Sequence, residues 1–110
     1  LRSVLVRTTT RGEAVVVRVA RGEVAAFHQL VAPLLRAGAT TVAANVNDGE
    51  ASRLLGPATF VLGGPERIVE RIGAFDHPIS PTAFFQTSPH MAQRLAEHVL
   101  AWLSPRPSDV

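Results

Sequence analysis

Residues 3–20 read SVLVRTTTRGEAVVVRVA, and this stretch decides the architecture of the domain. Two runs rich in Val and Thr, residues 3–9 and 13–20, are separated by Arg11 and Gly12. β-Branched residues favour strands, and a short polar break that contains glycine favours a turn. The pattern therefore predicts a β-hairpin at the start of the fold.

Two later segments have the spacing of helices. The first ends at Gly38 and contains Pro33, which predicts a kink or a split there because proline lacks a backbone donor. Its apolar positions are Val24, Phe27, Val31, Leu34 and Leu35. The second begins at Ser88, an N-cap residue, followed by Pro89 at the first helical position. Its apolar face consists of Met91, Leu95, Val99 and Trp102.

The remaining segments indicate further strands. Residues 40–47 form a third β-rich run, and residues 59–62, 67–72 and 75–79 predict an antiparallel meander separated by glycine turns. Together these elements predict an α+β domain, a mostly antiparallel sheet with two helices packed on it. We assign residues 1–103 to this domain and predict that residues 104–110 form an extended linker toward a C-terminal domain.

Composition limits the function classes. With 46% hydrophobic and 18% charged residues, the 110-residue chain is not a disordered segment. All eleven basic residues are arginine, but the net charge is only +2, so nucleic-acid binding is permitted and not required. The chain has no cysteine, which excludes disulfides and a cysteine nucleophile within it. No export signal is visible, so a cytoplasmic location is expected.

The most informative segment joins the last strand to the last helix and reads ISPTAFFQTS, residues 79–88. Successive side chains of an extended segment diverge, so Phe84 and Phe85 cannot both point into one core face. An exposed phenylalanine beside an amide suits a nucleobase, which can stack and hydrogen-bond. The alternative is that both rings pack under the last helix and that Gln86 caps its N-terminus.

Other polar residues offer weaker candidates. The four histidines are scattered and predict no metal site; they are His28, His77, His90 and His98. Three acidic residues, Glu66, Glu70 and Asp76, are expected to alternate with Arg67 and Arg71 on a solvated face. Residues 63–65, Gly-Gly-Pro, lack the lysine of a phosphate loop and predict a tight turn.

Residues 79–88 resemble the I-S-P-x-S-F-F-Q-x-N segment of the RNA uracil-5 methyltransferases, with Ala83 and Ser88 replacing the family's serine and asparagine. Residues 62–72, LGGPERIVERI, are similar to that family's L-x-G-x-x-x-I-x-E-x-I/L run, and residues 42–47 resemble its strand ending in Asn-Val-Asn. The resemblance covers about half of the chain and matches the family's central domain.

The resemblance implies a methyl transfer from S-adenosylmethionine to C5 of a uridine in tRNA or rRNA. A cysteine thiolate adds to C6, C5 takes the methyl group, and a carboxylate removes the C5 proton before the thiol leaves. By the motif, Gln86 contacts the cofactor and Phe84 lies beside the flipped base. The nucleophile and base belong to a C-terminal methyltransferase domain, so this chain would hold no catalytic residue and be inactive alone. The alternative is a non-catalytic α+β RNA-binding or interaction module.

Overall fold

The computed structural model describes residues 1–22, 24–49, 53–85 and 88–109. The strands are β1 (Ser3–Thr8), β2 (Ala14–Ala20), β3 (Thr41–Val46), β4 (Ala58–Gly63), β5 (Ile68–Ile72) and β6 (Phe75–Ile79). The helices are α1 (His28–Arg36), which follows a 3₁₀ turn at Ala25–Phe27, and α2 (Pro89–Leu103). A second 3₁₀ turn spans Pro107–Asp109, so the predicted linker is not extended throughout.

The first four strands form one mixed sheet in the order β1-β2-β3-β4. The predicted opening hairpin is confirmed, with Thr8 opposite Ala14 and Gly12 in the turn at φ 81°. Strands β2 and β3 are parallel, and α1 provides the crossover that a parallel pair requires. The predicted meander of the last three strands is wrong, because β4 pairs with β3 while β5 and β6 form a separate two-stranded hairpin.

The central strands of the four-stranded sheet are covered on both faces, whereas Val4 and Val6 of the edge strand β1 remain exposed. On one face the β5–β6 hairpin packs Ile68 and Ile79 against Val15, Val17 and Ala43. On the other face lies a second cluster, formed by Ala20, Phe27 and Ala44. Because both of its faces are covered, β3 has five consecutive buried residues and not an alternating pattern.

Two carboxylates join the hairpins. Glu70 is only 3% exposed, so the predicted solvated face is wrong for this residue. Its carboxylate accepts hydrogen bonds from the backbone N–H of Thr10 at 3.1 Å, from the Thr10 hydroxyl and from the backbone N–H of Arg71 at 2.9 Å. Likewise, the carboxylate of Glu13 accepts the backbone N–H of Val69 at 2.7 Å. Hydrogen bonds from backbone N–H groups to these two carboxylates thus connect the four-stranded sheet to the β5–β6 hairpin.

Helix α1 contains Pro33 within a continuous α-helical segment. The predicted split at Pro33 is therefore wrong, and the change from 3₁₀ to α geometry lies between Phe27 and His28. After the helix, Gly38 has φ 105°, the left-handed conformation that its position predicts. The helix therefore tolerates Pro33, which has no backbone N–H to donate, while its apolar side packs on the sheet.

Helix α2 begins as predicted, but it does not lie on the four-stranded sheet. The Ser88 Oγ accepts the backbone N–H of Met91 at 3.3 Å, which confirms the N-cap. Its main contact is with β5, and none of its fifteen residues is buried. The Cα radius of gyration is 17.1 Å, whereas a compact chain of this length would have about 13 Å. The expectation that both helices pack on one sheet is therefore corrected for α2, which projects from the domain. Within the described ranges, no helix is long and apolar enough to cross a bilayer.

Candidate functional site

The segment between β6 and α2 starts from a fixed base. Ile79 is buried at the end of β6, and the backbone N–H of Ala83 closes a turn onto the carbonyl of Ser80 at 3.2 Å. The hydroxyls of Thr82 and Thr59 lie 3.3 Å apart and connect this turn to β4. Residues 79–83 therefore form a structured turn directly before Phe84 and Phe85.

The two adjacent phenylalanines point in different directions. Phe84 is 87% exposed. Phe85 packs against the core cluster that contains Ile68 and Ile79, and its ring centroid lies 6.0 Å from that of His77. The prediction that the two rings diverge is confirmed, and the alternative in which both pack under the last helix is wrong for Phe84.

The cofactor residue expected from the motif, Gln86, lies outside the described residues, so its role stays a prediction. The N-cap that the alternative assigned to Gln86 is instead formed by Ser88. The serine that replaces the family's asparagine therefore uses its hydroxyl to begin α2.

A residue that sequence reasoning missed, Arg7, contacts this segment. Its guanidinium Nη2 on β1 donates a 2.7 Å hydrogen bond to the carbonyl of Ala83, 76 residues away in sequence. Arg7 also borders a cavity of about 270 Å³, together with Glu70, Phe85 and Pro89. The only sequence signal was a charged residue inside a strand rich in valine, which is too common a pattern to indicate a site.

Asn45 in β3 and Asn47 directly after it hydrogen-bond to backbone groups of the following loop. Asn45 is fully buried, and its amide accepts the N–H of Gly56 at 2.7 Å while donating to the carbonyls of Gly56 and Ala58 at 3.0 Å. Asn47 donates to the carbonyl of Arg53 at 2.7 Å. Both side chains thus fix the loop that leads into β4.

No metal centre is formed by the described part of the chain, where no group of three His, Asp or Glu residues lies close enough to hold an ion. His77 stands against Phe85, and His98 stacks on Trp102 with ring centroids 6.5 Å apart. These two histidines each lie against an aromatic ring, His77 half-buried and His98 on the exposed surface of α2.

Helix α2 leaves its apolar face open. Met91, Leu95, Val99 and Trp102 are between 42% and 86% exposed, with Trp102 the most exposed. They share one side of the helix because they recur every three or four residues. This face, which we call the α2 apolar face, starts directly after the segment that carries Phe84.

Comparisons with known proteins give relatives for this chain. No family model matches it. An RNA methyltransferase from Listeria innocua, itself uncharacterised, is 37% identical over 60 residues, which cover 54% of this chain and 13% of that protein. Another from Clostridium tetani is 28% identical over 114 residues, covering 100% of this chain and 25% of that protein.

The fold also has a counterpart among solved structures. The tRNA (uracil-54, C5)-methyltransferase of Pyrococcus abyssi, solved in complex with S-adenosyl-L-homocysteine, matches with a TM-score of 0.68 and 24% identity, over 89% of this chain and 23% of that one. This likeness confirms the α+β fold class. The chain spans a quarter or less of the length of each of these three proteins.

Proposed function

We propose that this chain, which is similar to RNA methyltransferases of Listeria innocua and Clostridium tetani, is a domain of a protein that methylates C5 of a uridine in tRNA or rRNA. The observation that carries the proposal is Phe84, an 87% exposed ring on a segment that matches the family motif. An exposed phenylalanine ring does not contribute the stabilisation that burial in the core would give. A ligand that stacks on the ring would cover this apolar surface.

A uracil that leaves its helix loses its stacking partners, and an aromatic side chain can replace them. The ring of Phe85 packs against the core, so the residue that follows Phe84 is fixed in position. The turn at residues 80–83 anchors the other side. The proposed role of Phe84 is therefore to form one wall of the target-base site.

S-adenosylmethionine, when bound, supplies the methyl group of the proposed reaction. The described residues do not enclose a nucleoside around Phe84, because that ring is largely open to solvent. On the family motif alone, we propose Gln86 as a contact to this cofactor. The rest of such a site must come from further protein.

The chain has no cysteine, so a thiolate nucleophile must also come from outside it. We therefore propose that residues 1–103 form a central domain and that residues 104–110 lead toward a methyltransferase domain. The α2 apolar face supports this arrangement, because an amphipathic helix is stable when its apolar side is covered. Relatives that are at least four times longer have room for such a domain.

The test uses the longest natural polypeptide that contains this chain, which we call the parent protein. The parent protein is incubated with tRNA and rRNA and with S-adenosylmethionine labelled in its methyl group, and the product nucleoside is identified. We expect 5-methyluridine from the parent protein and none from the 110-residue chain.

An outcome without methylated uridine, on any RNA, would contradict the proposal. RNA binding without methyl transfer would then favour a non-catalytic RNA-binding module. A methylated nucleoside other than 5-methyluridine would keep the family but exclude the proposed target atom.

A further inference from the structure

The guanidinium of Arg7 donates a hydrogen bond to the segment that carries Phe84. Its Nη2 donates to the Ala83 carbonyl at 2.7 Å, and this is the one hydrogen bond of the guanidinium within the described residues. Ala83 directly precedes Phe84, and its own N–H is bonded to Ser80. The peptide groups that lead into Phe84 are therefore held from two sides.

The second terminal nitrogen of Arg7 is also enclosed. Its Nη1 is buried and has no hydrogen-bond partner among the described residues. The ion pairs of that part of the chain join Arg11 and Arg71 to Asp76, so Arg7 has no carboxylate partner there. Burying a charged donor is costly, and the short hydrogen bond to Ala83 is the compensating contact that the described residues supply.

Glu70 does not supply such a contact. It borders the same cavity as Arg7, but its carboxylate is bonded to Thr10 and to the backbone of Arg71. Glu70 therefore ties the two hairpins together, while the charge of Arg7 remains directed at residues 83–85.

We propose that Arg7 is a positioning residue for the target-base site, acting through the carbonyl of Ala83 to hold the ring of Phe84 toward the base. This inference rests on the proposed function. A hydrogen bond from a charged donor is short and directional, so it restricts rotation of the peptide group before Phe84. Arg7 touches neither base nor cofactor in this role.

The test compares Arg7→Ala and Arg7→Lys in the parent protein. We expect Arg7→Ala to lower kcat/KM for RNA by about 10- to 100-fold, the range for a lost charge-assisted hydrogen bond. The KM for S-adenosylmethionine should stay unchanged. Arg7→Lys retains one charged donor and should lose less. Millimolar guanidinium ion should restore part of the Arg7→Ala rate, relative to sodium at the same ionic strength, because RNA binding itself depends on salt.

Arg18 provides the matched control. It is also a half-buried strand arginine, but its guanidinium lies 3.9 Å from the ring centroid of Phe27, on the opposite face of the sheet. Arg18→Ala should lower the melting temperature without changing kcat/KM below that temperature. Equal kinetic losses in the Arg7→Ala and Arg18→Ala variants, or no rescue by guanidinium, would overturn the positioning role.

A binding measurement separates this inference from the proposed function. A single-stranded oligoribonucleotide containing 2-aminopurine should be quenched when its base stacks on Phe84, and both Phe84→Leu and Arg7→Ala should remove the quench. If the wild-type protein quenches the probe, Arg7→Ala removes the quench and no methyl group is transferred, the proposed function fails and the positioning role stands. If it transfers methyl groups and Arg7→Ala changes neither rate nor quench, the positioning role fails.

Discussion

The carboxylate of Glu70 accepts the backbone N–H of Thr10 at 3.1 Å, which connects the β5–β6 hairpin to the turn between β1 and β2. Because Glu70 is 3% exposed and accepts hydrogen bonds from Thr10 and Arg71, its removal would empty a buried space and leave those donors without their acceptor. We expect Glu70→Ala to lower the free energy of unfolding by about 2–3 kcal/mol, measured by urea denaturation. Glu66 is exposed, and Glu66→Ala should change that free energy by less than about 0.5 kcal/mol. Equal effects of the two substitutions would contradict this role of Glu70.

Substitution of Phe84 should affect methylation, whereas substitution of Phe85 should affect the stability of the domain. Phe84→Ala removes an exposed ring, so the free energy of unfolding should hardly change, while methylation of RNA by the parent protein should fall by about 10- to 100-fold. Phe85→Ala removes a ring that packs on the core and should destabilise the domain by about 2–3 kcal/mol. Thermal melts and initial rates of the same two variants test both statements. Loss of stability in Phe84→Ala would show that its ring is covered in solution.

Gln86→Ala tests the cofactor contact that the motif implies. Loss of one hydrogen bond should raise the KM for S-adenosylmethionine by about 10-fold without changing the melting temperature of the parent protein. Gln93, whose amide donates to Glu97 at 2.8 Å on the surface of α2, supplies the control variant Gln93→Ala. Normal methylation by Gln86→Ala at subsaturating cofactor would count against the assignment.

The α2 apolar face predicts how the 110-residue chain behaves in isolation. Exposed apolar side chains on one helix favour self-association, which sedimentation at several concentrations would detect. Trp102 is the single tryptophan, so its emission should shift to shorter wavelength as the chains associate.

A charge placed on this face should oppose that association. Leu95→Glu should keep the chain monomeric, whereas Ala101→Glu adds the same charge on another side of the helix and should have little effect. The same behaviour in both variants would mean that a different surface associates.

Two glycines with similar backbone angles separate the cost of backbone strain at positive φ from the cost of a steric clash of an added Cβ. Gly22 and Gly64 have φ of 76° and 82°, and alanine at either position would be strained. A Cβ at Gly22 meets no atom within 4 Å, while one at Gly64 would lie 2.0 Å from the Thr40 carbonyl oxygen. Gly22→Ala should therefore cost about 1–2 kcal/mol of stability, and Gly64→Ala clearly more, by urea denaturation.

Several features of the site were predictable because they depend on neighbours in the chain. The N-cap at Ser88 follows from a hydroxyl placed before a proline and an apolar periodicity. The divergence of Phe84 and Phe85 follows from the alternation of an extended backbone. Which ring would be exposed was not predictable from that alternation, since it depends on the core that the hairpin covers.

Local residue patterns were enough to predict the opening hairpin, the start of α2 and the resemblance of residues 79–88 to RNA methyltransferases. Long-range packing was needed to establish that Glu70 is buried, that β5 and β6 leave the main sheet, that α2 has an open apolar face and that Arg7 bonds to Ala83. The reason is separation along the chain. The Glu70–Thr10 and Arg7–Ala83 contacts join residues 60 and 76 positions apart, so they depend on how the layers stack and not on any local pattern.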